Sequence, residues 1–180
     1  MSALLLLGAG LGVVYLLSSS RSAGANTMPA PSSSRLNNRI RERVEEWRHL
    51  AERETEGRRH VTVPLVLAVI ARESGGDETA RGLAGELGLM QIMREAWQDY
   101  RAETNDPDAA TFETLSSPDI NIRVGAWILN ERLGAFPKRY DGIRAYNCGE
   151  SGARNSAACG AAYADWVLNV GLPAFQRGIA

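Results

Sequence analysis

The chain has 180 residues, 44% of them hydrophobic, with a formal net charge of −1. That length gives room for one good core plus appendages. A charge so near zero leaves no electrostatic footprint for nucleic acid, and no nucleic-acid partner is expected.

Three zones follow one another, read as 1–20, 21–35 and 36–180. The first is apolar over residues 3–17, somewhat short of the ~20 residues of an ordinary membrane-spanning helix. Two readings stand. A signal segment would end near Ala23-Gly24-Ala25, but no Lys or Arg precedes the apolar run. A retained anchor is the favoured reading, and Gly8 and Gly12 form a GxxxG that weakly supports helix pairing in a bilayer. The positive charges near the run, Arg21, Arg35, Arg39 and Arg41, all follow it. The positive-inside rule would then keep the folded domain in the cytoplasm. Cleavage of the segment, or residence in a virus particle, removes the conflict with a substrate outside the cell. The second zone is rich in Ser, Ala, Pro and Gly and reads as a flexible linker.

The third zone reads as helices, so the fold class is all-α. Ile40, Val44, Trp47 and Leu50 recur at helical spacing among Arg and Glu, as one amphipathic helix would have them. The run 61–71 is apolar on nearly every side and reads as a buried helix, entered through Thr62 or Val63 with Pro64 in its first turn. It ends on Arg72-Glu73-Ser74 before Gly75-Gly76. A shorter helix is expected over 93–101. Ser117-Pro118-Asp119 is a cap, a first-turn proline and an acidic start. It opens a long helix with Ile120, Val124, Trp127, Ile128 and Leu133 on its buried side, closed by Gly134. Further helices are expected over 140–147 and 161–170. No strand alternation and no internal repeat is evident.

Glu73 is the most informative residue. Its carboxylate lies at the negative end of a helix dipole and beside an apolar core, and both effects raise its pKa. A carboxylic acid held protonated near neutral pH is what glycosidic-bond cleavage requires. Other chemistries find no support: the chain has no HExxH, GxSxG or P-loop. His49 and His60 lie in a charged stretch without ligand spacing, so no metal and no cofactor is expected. Cys148 and Cys159 do not form a CxxC. In an oxidising compartment they would close a short loop; in a reducing one they would remain two thiols.

Arg72-Glu73-Ser74, then Gly85-Glu86-Leu87-Gly88-Leu89-Met90-Gln91-Ile92, then Ala145-Tyr146-Asn147 resemble three signatures of the soluble lytic transglycosylase, or goose-type lysozyme-like, family. The stretch from Ser117 to Ile122, followed by Gly125-Ala126-Trp127, is similar to its long central helix, and Tyr163 resembles its late aromatic. The resemblance covers about 36–170. It implies a lysozyme-like fold, peptidoglycan glycan strands as partner and cleavage of the β-1,4 bond from N-acetylmuramic acid to N-acetylglucosamine. It makes Glu73 the single acid/base, with closure of a 1,6-anhydro ring and no water consumed. Ser74, Gly88, Leu89, Met90, Gln91, Tyr146, Asn147 and Tyr163 are the implied substrate-binding residues.

Two positions depart from the family pattern. Gly82 stands where a serine is common, and Glu86 where a small residue is common. Glu86 reads either as a surface residue or as a second carboxylate that places a water, which would make the protein a hydrolytic muramidase. A non-catalytic glycan-binding component of an envelope or virion assembly is the reading from another class. The expected location is a membrane-anchored domain facing peptidoglycan, or a secreted one if the first segment is cleaved.

Overall fold

A computed structural model describes residues 36–176. The expected anchor and linker, 1–20 and 21–35, lie outside these described residues. Among the described residues no helix is long and apolar enough to cross a membrane.

The domain is helical, with no strand among the described residues and only isolated antiparallel bridges joining Leu87 to Arg81 and to Ile92. At its centre is α3 (Val63–Glu73), where every residue from Leu65 to Ala71 is buried. Thr62 precedes it with extended backbone and Pro64 occupies the first turn. A helix apolar on all sides needs a wall on each side. Helices α1 (Asn38–Glu45) and α2 (Arg48–Thr55) supply one wall, and the C-terminal segments supply the other.

The single amphipathic helix expected over 40–50 is two helices. The chain turns at Glu46-Trp47, and the Trp47 indole N–H donates to the Gly76 carbonyl, 3.1 Å away, just past the end of α3. A straight helix would carry the indole away from that carbonyl. A hydrogen bond across 29 residues therefore sets the angle between α1 and α2.

Beyond the 77–92 loop, α4 (Arg94–Thr104) runs longer than expected and ends on Asn105 in the left-handed conformation. A short 3-10 turn, Phe112–Ser116, leads into α5 (Pro118–Gly134). Ser117 precedes α5 with extended backbone, but its side chain makes no capping hydrogen bond. Helix α5 is more deeply embedded than its expected apolar side required. Asn121, Ile122, Gly125, Ala126 and Leu129 are buried beside Val124, Ile128 and Leu133, whereas Ile120 and Trp127 are half-buried.

The expected helix 140–147 is the first part of α6 (Arg139–Asn155), which bends at Gly149, where φ is 74°. Beyond it, α7 (Ala161–Trp166) passes through a π-helical segment, Val167–Gly171, into α8 (Leu172–Gln176). The π segment crosses α3 closely: a Cβ on Gly171 would lie 2.9 Å from the Ala68 Cβ. Two small residues thus bring the last helices against the central one. That crossing carries Tyr163 and Trp166 to the Glu73 end of α3.

Candidate active site

The centre is assembled from the end of α3, the 80–92 loop, the middle of α6 and α7. Glu73 is the last residue of α3; the residue as a whole is half-buried, and its carboxyl is enclosed by protein. Burial raises its pKa from 4.5 to about 7. The Tyr163 hydroxyl and the Arg72 charge oppose that rise, and the Glu86 charge adds to it. The carboxyl therefore holds its proton up to near neutrality and can both give and accept one there.

Ser74 does not face outward. Its hydroxyl donates to the carbonyls of Leu89 (2.8 Å) and Ile70 (3.2 Å) and accepts from the Gly76 N–H. It ties the end of α3 to the loop that carries Gly88 to Gln91. Leu89 and Met90 are fully buried. All three side chains are buried beneath the surface of the loop and form its floor.

Gly88 is required twice over. Its φ is 72°, and a Cβ there would lie 2.8 Å from the Leu115 carbonyl and overlap the Asn121 amide. Asn121 is the residue that sequence reasoning did not single out. It is fully buried in α5, accepts from the Met90 N–H (2.9 Å) and donates to the carbonyls of Leu87 (2.9 Å) and Leu115 (2.8 Å). A loop without a β-ladder leaves buried backbone groups that need partners; one side-chain amide serves two of them and ties the loop to the 3-10 turn through Leu115. The signal was present in the sequence as a polar residue inside the apolar seam of a core helix.

Gln91 adopts a left-handed backbone with φ 47°. Its side-chain NH2 donates to the Gly88 (2.8 Å) and Ala80 (3.2 Å) carbonyls. Tyr146 in α6 donates its hydroxyl to the Met90 carbonyl at 2.9 Å, so α6 also holds this loop. Burial and the nearby Glu73 charge push the Tyr146 pKa well above 10. The Asn147 side chain has no hydrogen-bond partner among the described residues and stays available to a ligand.

Tyr163 is buried and its hydroxyl makes no hydrogen bond of ordinary geometry. It is nevertheless close enough to Glu73 to act on that carboxyl, and burial raises its own pKa well above 10. The Arg72 guanidinium lies 6.0 Å from the Tyr163 ring centre and 5.6 Å from that of Trp166. A cation over two aromatic faces steadies both rings.

Cys148 and Cys159 form a disulfide that closes the loop after Asn147. Buried Arg144 holds the same loop through the carbonyls of Cys159, Ala153 and Ser156. Among the described residues no group of three or more His, Cys, Asp or Glu is placed to hold a metal ion. His49 and His60 are exposed. A separate cavity of about 630 Å³, lined by residues that include Trp127, Arg132 and Glu150, does not include Glu73.

The sequence profile of the transglycosylase SLT domain matches residues 51–168. Among solved structures, the chain is similar to the 70 kDa soluble lytic transglycosylase from Escherichia coli, with 25% identity and a TM-score of 0.57 over 60% of this chain. The complex of a 70 kDa soluble lytic transglycosylase with bulgecin A is similar at 25% identity and a TM-score of 0.59 over 64% of this chain. An inactive Glu→Gln mutant of the lytic transglycosylase Slt from Pseudomonas aeruginosa is similar at 25% identity and a TM-score of 0.56 over 72%. The chain covers only 18%, 19% and 21% of the lengths of these three. No curated protein matches the sequence.

Proposed function

The chain belongs to the transglycosylase SLT domain family, and we propose on that premise that it is a peptidoglycan lytic transglycosylase with Glu73 as its single acid/base. The observation that carries the reading is the buried carboxyl at the end of α3, with its pKa near 7, beside Tyr163 and the loop that Tyr146 and Ser74 hold.

Protonated Glu73 donates its proton to the glycosidic oxygen as the bond to the muramic acid anomeric carbon breaks. The substrate's own acetamido oxygen attacks that carbon, so no enzymic nucleophile is needed. The Glu73 carboxylate then removes the C6 hydroxyl proton. The C6 oxygen closes on the anomeric carbon and expels the acetamido oxygen. A 1,6-anhydro ring results and Glu73 is again protonated, with no water consumed. A carboxyl balanced near neutrality suits both halves of this cycle. Asn147, with its amide unpaired, and Gln91 are among the residues that contact the sugar. The apolar run 3–17 supports a membrane-tethered enzyme that opens the wall locally, in a cell envelope or a virion.

The test is mass spectrometry of purified peptidoglycan digested by the protein and by its Glu73→Gln variant. Products ending in 1,6-anhydromuramic acid, absent with the variant, support the proposal. Reducing-end products carrying an added water would make the protein a hydrolytic muramidase, with Glu86 the residue that places the water. No products from folded protein would leave a glycan-binding component.

A further inference from the structure

Three glycines stand in the 80–92 loop: Gly82, Gly85 and Gly88. Backbone conformation accounts for Gly85 (φ 93°) and Gly88 (φ 72°), but Gly82 does not have a positive φ. Any residue could adopt its conformation. What a side chain lacks at position 82 is space. A Cβ there would come within 2.5 Å of the Glu86 Cδ, overlap Glu86 Oε2 and lie 3.0 Å from Gln91 Oε1. The volume is filled by the Glu86 carboxylate, folded back over the glycine.

That position is held. The Ala84 N–H donates to Glu86 Oε2 at 3.0 Å, and the Gly82 N–H donates to the Glu86 backbone carbonyl at 2.9 Å. Beside it, the Gln91 NH2 is committed to the Ala80 and Gly88 carbonyls, which leaves Oε1 turned toward the same point. No donor among the described residues serves Gln91 Oε1. Two acceptor oxygens thus border one spot on the loop, and the Glu86 carboxylate is near enough to Glu73 for its charge to act on that carboxyl. Neighbouring acceptors repel one another unless a donor comes between them. Both side chains are only partly exposed, so the spot is shaped and not simply open to bulk water.

We infer that Glu86 is a substrate-contacting residue: its carboxylate and Gln91 Oε1 together accept a hydroxyl or acetamido N–H of the sugar chain bound for cleavage, and Gly82 keeps their position open. The inference rests on the lytic transglycosylase reading and adds to it a determinant on the loop rim. It also gives Gly82 and Glu86 one joint explanation. The side chain missing at one position makes room for the longer one at the other.

The test uses four variants, Glu86→Ala, Glu86→Gln, Gly82→Ala and the double variant Gly82→Ala/Glu86→Ala. The first readout is turnover of purified peptidoglycan, resolved into kcat and KM. The second is titration of a muramic-acid-containing tetrasaccharide into each variant carrying Glu73→Gln. Glu86→Ala is expected to weaken binding roughly tenfold, the factor of one hydrogen bond to a charged acceptor, mainly through KM. Gly82→Ala is expected to do the same without removing any functional group, because the flexible carboxylate must swing aside. Glu86→Gln, which keeps an acceptor oxygen, is expected to lose less. The double variant is expected to bind like Glu86→Ala alone, since the overlap is gone. Lowered melting temperatures with unchanged binding and KM would overturn the inference and leave Glu86 a loop brace. A further loss in the double variant would also overturn it. Unchanged variants beside an active parent protein would refute the inference alone, whereas no turnover and no binding by the parent protein would remove the transglycosylase reading with it.

Discussion

Replacing Glu73 by Gln should abolish turnover and make the protein more stable, by an amount that depends on pH. The unfolded chain ionises this carboxyl near its ordinary 4.5, and the folded chain near 7. Between those values the unfolded state holds fewer protons than the native state. Stability therefore falls as pH rises through that window and is level above it. That difference corresponds to roughly 3 kcal/mol of native stability lost between about pH 4 and pH 8. The Glu73→Gln variant, whose amide carries no charge at any pH, loses none of it. Urea unfolding of both proteins across that range should show their difference in stability growing by about 3 kcal/mol. A difference that stays constant with pH would refute the reasoning, because Glu73 would then titrate in the folded protein as it does in water. The origin of the effect is burial of the carboxyl at the end of α3, beside Tyr163 and Tyr146.

Three more outcomes follow from the same geometry. Turnover requires the protonated acid, so the rate should fall as pH rises above about 7. In Tyr163→Phe, which lacks the hydroxyl that opposes the rise, that fall should move to higher pH, as a pH–rate profile would show. Asn121→Ala removes the partner of two backbone groups in the loop around Gly88 and of the Leu115 carbonyl in the 3-10 turn and should cost about 3–5 kcal/mol in urea unfolding, since buried backbone groups are left unpaired. Cys148→Ser opens a loop of sequence separation 11 and should cost about 3 kcal/mol by the chain-entropy argument, measured against the intact protein under non-reducing conditions.

The sequence alone determined the helical class, the buried helix that ends on Glu73, the α5 start at Ser117-Pro118 and the order of the signatures. These follow from short-range chemistry. A period of apolar residues, a proline that suits a first turn and a glycine that ends a helix act within a few residues of themselves. The elevated pKa of Glu73 was legible for the same reason, since an apolar helix must be buried and carries its last carboxyl with it. The tertiary structure alone decided which way the loop side chains point. Ser74, Leu89 and Met90 turn inward because the unladdered loop needs partners and a floor, and Asn121 becomes its central support because α5 passes beneath it. The bend at Glu46-Trp47 and the meeting of Gly82, Glu86 and Gln91 were equally hidden. The first depends on a hydrogen bond to Gly76, 29 residues away, and the second on a side-chain fold. Local propensity fixes neither, because each is settled by which groups the packed chain brings within reach of one another.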